Sequence, residues 1–173
     1  IGSIDDVATK LELLGRITGN QQQAAQQIEA LQQGVSGAVA ELPHTHPRVL
    51  ALFGTPEAFY AYRDSSYLGS MINALDGVNL AADQEALGGM RSIAPLNLEQ
   101  AIGRNAQVIL VIPHGPPNAV MAHLSAHPAW SKMPAVKTGR VHVLDEVLFS
   151  SNPGPRAPQA LEQLKTLLYP ESP

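Results

Sequence analysis

No cysteine occurs anywhere in the 173 residues. Disulfides, zinc–thiolate sites and thiol nucleophiles are thereby excluded together. The compartment stays open, because many exported bacterial proteins also lack cysteine. Basic residues are scarce too: 11 Lys and Arg stand against 15 Asp and Glu, a formal net charge of −4. They are scattered singly, so no cationic stripe exists to neutralise phosphates, and nucleic acid drops out as a partner. Nor does any apolar run approach the ~20 residues that cross a bilayer as a helix. The usual nucleotide and nucleophile signatures are missing as well. No G-x-G-x-x-G follows the first expected strand, and there is no Walker A loop or nucleophile elbow. Gly34-Val35-Ser36-Gly37 does not qualify, since it follows a helix and lacks the second spaced glycine.

What remains is the composition of a folded chain, 45% hydrophobic and 15% charged. A domain near this length buries roughly 70% of its unfolded surface. The chain opens on Ile1 without an initiator methionine or signal peptide, which reads as a processed or excised piece.

The first forty-odd residues read as helical. Val7, Leu11 and Leu14 share one helical face, and Gly19 punctuates it. Asn20 is a plausible N-cap for a second helix, with Ala24, Ile28, Leu31 and Val35 along one face. Gln21, Gln22, Gln23, Gln26, Gln27, Gln32 and Gln33 form its solvated side. Pro43 to Pro47 reads as a linker, so residues 1–46 form a helical segment and residues 47–173 a separate unit.

From Arg48 onward strand and helix patterns alternate, which implies βαβ units and a mostly parallel sheet. Val49–Phe53, Val108–Ile112 and Val141–Leu144 are the clearest strands. Helices follow at Ser65 or Ser66, at the capping box Asn97-Leu98-Glu99-Gln100, after Pro116-Pro117 and at Pro158. The expected fold class is α/β, a Rossmann-like three-layer αβα arrangement preceded by a long helix.

His114 is the leading candidate for a functional residue. The solid apolar run Val108–Ile112 reads as a strand buried on both faces. Pro116-Pro117 suits the first turn of the next helix. His114 therefore falls just beyond a strand's carboxyl end, the edge where open α/β sheets bind ligands. Tyr60, Tyr62 and Tyr67 cluster after the first strand, also at that mouth. The other histidines are weaker. His123 and His127 have a metal-compatible spacing but no acid near them in sequence, His44 and His46 sit in the linker, and His142 lies inside a strand.

Several segments together resemble a known family. Leu14-Gly15-Arg16-Ile17-Thr18-Gly19, Ala129-Trp130, Ala135–Val141 and Pro155-Arg156 are similar to the iron-complex and cobalamin substrate-binding proteins of ABC importers. These are two-lobed receptors whose lobes are joined by one long helix. Leu52–Pro56, Ser66–Gly69, Asp145–Phe149 and the block around His114 resemble its haem-binding branch, the lipoproteins of the iron-regulated surface determinant system.

The resemblance implies that the glutamine-rich helix joins the lobes and that residues from 47 onward are the C-terminal lobe, the N-terminal lobe being absent. It implies an extracytoplasmic protein, periplasmic or lipid-anchored, that is not an enzyme. Haem is then the transported ligand, with His114 as an axial ligand to its iron. Gly115 lets a flat macrocycle approach the backbone, and helix N–H groups beside it are available to a propionate. Arg156 either meets a propionate or pins the last helix. Glu99 is implied as a docking carboxylate for arginines of the membrane permease. A ferric siderophore or cobalamin receptor of the same fold is the nearest alternative. A manganese or zinc receptor and a small Rossmann-like enzyme are more distant ones.

Overall fold

The computed structural model describes residues 3–55, 58–151 and 154–170. Pro56, the last residue of the motif after the first strand, lies outside the described residues.

Two helices lead the chain, α1 (Asp5–Thr18) and α2 (Gln21–Val39). Ser3 and Asp6 start α1 reciprocally, each side chain accepting from the other's backbone amide. Gly19 ends it at φ 73°, a left-handed conformation that a β-carbon disfavours. Asn20 precedes α2 as expected but does not cap it; its side-chain amide donates to Thr18 Oγ1 instead. The glutamines of α2 are exposed, whereas Leu31 and Ala38 are buried. Leu14 departs from its expected inward position and is 56% exposed. At Gly15 the helices approach so closely that a β-carbon would collide with Ala24 Cβ. Leu14 lies at the open edge of that crossing, where it lines a surface cavity with Gln23, Ala24 and Gln27 of α2.

Among the described residues six strands follow: β1 (Arg48–Gly54), β2 (Phe59–Tyr62), β3 (Val78–Asn79), β4 (Ile93–Pro95), β5 (Val108–Pro113) and β6 (Val141–Val143). Their spatial order is β4-β2-β1-β5-β6, with β3 beside the start of β1. The pairs β1–β3, β1–β5 and β5–β6 are parallel, whereas β2 runs antiparallel to both β1 and β4. The parallel centre is therefore as expected, but β2 is a strand that helix–strand alternation overlooks. Its residues Phe-Tyr-Ala-Tyr favour a pleated surface, and they pair directly alongside β1.

Helices cover both faces. On one side α1, α2, α3 (Tyr67–Ala74) and α7 (Ala157–Leu168) bury Leu31, Met71, Ile72, Leu161 and Leu164. On the other, α4 (Leu98–Gly103), α5 (Pro117–Ala126) and α6 (Pro134–Lys137) bury Leu98, Val120, Leu124 and Ala135. The chain is an αβα three-layer fold. Strand β5 serves both cores at once: Val108, Leu110 and Ile112 face one, Ile109 and Val111 the other. This is why its sequence shows no polar alternation. Ser66 and Asn97 cap α3 and α4, accepting from the amides of Gly69 and Gln100 at 2.9 and 3.0 Å.

Candidate functional site

The carboxyl ends of β1 and β5 lie side by side, with Gly54 paired to Pro113. The next amide, that of His114, donates to Gly54 O at 2.7 Å, so the ladder continues one step past the strand and holds the histidine's backbone. Gly115 then turns the chain at φ 114°, a conformation that an L side chain resists. Pro116 and Pro117 lead into α5 as their rigidity predicts.

The His114 ring packs edge-on against Phe53, with centroids 4.3 Å apart and planes at 83°. Phe53 also neighbours Tyr60 and Tyr62, at centroid distances of 5.8 and 6.0 Å. On its other side, His114 Nδ1 stands 3.2 Å from Glu146 Oε1. Both side chains are 37% exposed, so the pair is half open to solvent. His114 Nε2 has no partner among the described residues. A second contact joins the same elements: Tyr62 Oη and Ser150 Oγ are 3.0 Å apart. Burial raises the Tyr62 pKa, with Glu146 adding to the effect and the Ser150 bond opposing it, so this phenol keeps its proton.

Glu146 and Ser150 flank and belong to a π-helical turn, Val147–Ser151, started by Asp145, whose side chain accepts from the Leu148 amide at 2.8 Å. Such turns are rare and concentrate at functional sites. Neither Glu146 nor Phe53 stands out in the sequence as a site residue. Local spacing carries no signal for a carboxylate that meets its histidine from 32 positions away.

The other expected site residues separate. Tyr60 is half-buried beside Phe53 and Tyr62 is buried, but Tyr67 leaves the mouth altogether. It sits in the core at the start of α3, its hydroxyl without a partner. The helix N–H groups beside Gly115 are fewer than expected. Pro117 has none, and the Ala119 and Val120 amides both donate to Pro116 O, which leaves Asn118. Arg156 is exposed at the N-cap of α7. Glu99 is exposed in the first turn of α4, which follows β4 and so starts from the same sheet edge as His114.

The structure brings Glu99 to His123 and His127, which line one shallow cavity of about 320 Å³ with Phe59 and Asn97. His127 Nδ1 accepts from the Ala129 amide, and the His123 ring lies tilted against Phe59, with centroids 5.4 Å apart. Among the described residues no three His, Asp or Glu side chains converge on a metal position. In the linker, His46 pairs with Asp76 at 3.0 Å, and both are well exposed.

His142 has a structural role. Its Nε2 is buried without a partner, and desolvation, aided by the nearby Arg140 charge, lowers its pKa. The folded chain therefore resists a proton that the unfolded chain accepts near pH 6.5. Stability rises with pH wherever the unfolded state binds more protons. Acidification from pH 7 to 5 is thus expected to destabilise the fold through this residue, and His142→Gln to flatten that slope. Urea unfolding at the two pH values measures both.

Comparison with known proteins places this geometry. The sequence profile of the periplasmic binding proteins matches residues 2–148. The high-affinity heme uptake system protein IsdE of Staphylococcus aureus is 30% identical over 128 residues, covering 72% of this chain and 42% of that protein. The chain thus spans less than half the length of that curated relative. The crystal structure of S. aureus IsdE complexed with heme superposes with a TM-score of 0.82 at 26% identity, over 97% of this chain and 66% of that one. The periplasmic heme-binding protein RhuT from Roseiflexus sp. RS-1, in apo form, shares the fold with a TM-score of 0.83 at 24% identity, over 97% of this chain and 64% of that one. With an αβα fold matched by this profile over residues 2–148, the chain belongs to the periplasmic binding protein family.

Proposed function

We propose that the chain is the C-terminal lobe and inter-lobe helix of the substrate-binding component of an ABC importer, and that the lobe captures haem. On this reading residues 1–46 carry the joining helix and residues 47–173 the lobe, with no catalytic step. The protein works outside the cytoplasmic membrane, periplasmic or lipid-anchored, and hands its ligand to a permease. The observation that carries the proposal is His114. It stands at the sheet's carboxyl edge with Nδ1 facing a carboxylate and Nε2 unengaged by any described residue. A neutral imidazole with one free nitrogen is a good iron ligand and a common haem anchor. Phe53 and Tyr60 beside it offer aromatic surface to a flat macrocycle. Gly115 adds no side chain on the approach, and Arg156 is the candidate cation for a propionate.

Titrating the intact protein with haem, a ferric hydroxamate and cobalamin tests the proposal. A Soret band characteristic of histidine ligation, with tightest binding for haem, supports it. Tighter binding of either other ligand transfers the lobe to the siderophore or cobalamin class of the same fold.

Glu99 supplies the docking half of the proposal. It is exposed in the first turn of α4, a helix that starts from the same sheet edge as His114. Rim charges of this kind set encounter rate and register. Glu99→Ala is expected to leave haem affinity within twofold while lowering permease-coupled ATPase stimulation about tenfold, as read in proteoliposomes.

A further inference from the structure

We propose that a cavity at the amino edge of the sheet is a second ligand site, built for a small carboxylate with an apolar body. It lies at the opposite end of the strands from His114 and does not depend on the haem reading. The six residues of β5 separate the two sites by roughly 20 Å.

The cavity holds about 600 Å³, within the range of ~300–1,000 Å³ typical of small-molecule pockets. Pro43, Pro47 and Tyr169 give it apolar walls. The prolines are rigid by nature, and the Tyr169 hydroxyl is fixed by donating to Leu75 O at 2.6 Å. Its polar groups come from the residues that immediately precede β5 and β6, Gln107 and Arg140. Gln107 Oε1 accepts from the Arg48 amide at 2.9 Å, which leaves the NH2 end of that side chain as a donor. Arg140 Nη2 donates to Leu167 O and Leu168 O at 3.0 and 2.9 Å, at the C-terminus of α7. Those two bonds anchor the guanidinium, while its Nε and Nη1 have no partner among the described residues.

The charge of Arg140 is not matched by an acid. No described residue lining the cavity is Asp or Glu. Burial lowers the Arg140 pKa, and no carboxylate opposes that effect. Asp76, an acid near the rim, is already engaged: His46 Nδ1 donates to its carbonyl at 3.3 Å and stands 3.0 Å from its carboxylate. A half-buried guanidinium with spare donors favours an anion, and its planar fork suits the two oxygens of a carboxylate. The apolar walls add a preference for an anion that carries hydrocarbon.

The test titrates the intact protein with benzoate, benzamide, acetate and inorganic phosphate, following nitrogen-15 NMR signals of the Arg140 Nε–H and the Gln107 side-chain amide. Benzoate is expected to shift both saturably in the millimolar range. Acetate should bind about tenfold more weakly for lack of the ring, and benzamide, the neutral counterpart, should leave both signals in place. Gln107→Glu keeps an acceptor for the Arg48 amide but puts a carboxylate into the cavity, and should weaken benzoate by about tenfold or more. Its melting temperature should stay within ~2 °C of the parent's, which separates lost binding from lost fold. Arg140→Lys keeps the charge and a donor for α7 but not the fork, and should also cost about tenfold. Shifts of equal size with benzamide, binding of acetate or phosphate as tight as that of benzoate, or no saturable shift at these two side chains overturns the inference. So does an unchanged benzoate affinity in Gln107→Glu. Haem titration of the same variant should match the parent protein, so the two sites stand or fall separately.

Discussion

His114→Ala is expected to weaken haem binding by roughly 100-fold or more and to abolish the histidine-ligated Soret spectrum. Loss of a partner behind a metal ligand typically costs 10–100-fold, so loss of the ligand itself belongs at or beyond the upper end. The fold should survive the change. The ring is 37% exposed, its described contacts are Phe53 and Glu146, and its backbone bond to Gly54 O remains in the variant. Half-exposed substitutions of this kind stay near ~1 kcal/mol, a shift of about 2–4 °C in Tm for a chain of this size. Absorption titration and a thermal melt on the same preparation separate the two effects. A variant that melts normally and still binds haem with an unaltered spectrum removes His114 from the iron.

Gly69→Ala is expected to destabilise the fold markedly, although it lies away from the site. Alanine is intrinsically the better helix residue by about 1 kcal/mol, and Gly69 lies within α3. Helix propensity alone therefore predicts stabilisation. A β-carbon at this position, however, would fall within the van der Waals shell of Arg63 O and close to Asp64 Cα. These are backbone atoms of the turn leading into the helix, and that turn is tied down. Arg63 O accepts from both the Ser66 amide and its hydroxyl, while Ser66 Oγ accepts from the Gly69 amide. Relief means breaking the cap or shifting the helix, with overpacking costs of about 1–3 kcal/mol and a cap worth about 1 more. The net expectation is a destabilisation of about 2 kcal/mol, or roughly 4–8 °C in Tm. A melting temperature equal to or above the parent's would show that the turn yields freely.

Much of this architecture is legible in the sequence because it depends on local pattern. The run Val108–Ile112 identifies its strand, since only a strand between two cores remains apolar on both faces. Ser66 and Asn97 mark their helices through bonds that reach three residues ahead. The proline pair places the start of α5, and the glutamines mark a wet face. Where local pattern misleads, a non-local contact explains it. Leu14 has inward spacing but stays exposed at the open edge of the groove where α1 crosses close against α2. Tyr62 and Tyr67 are near neighbours in sequence, yet one pairs with Ser150 in β2 and the other is buried at the start of α3.

The sequence by itself determined the αβα class, the absence of thiol and phosphate-loop chemistry, and the position of His114 at a strand's carboxyl end. Each follows from residue type or short-range periodicity, which act within a few positions along the chain. Only the tertiary structure decided what surrounds that histidine. Phe53 arrives because β1 and β5 pair in register, and Tyr60 because β2 folds back along β1. Glu146 comes from a turn beyond β6, the strand parallel to β5. Sheet order set these distances, and sheet order is fixed by the packing of two cores rather than by any local signal. One histidine in a favourable place thus gained an aromatic and an acidic neighbour that only the fold brings to it.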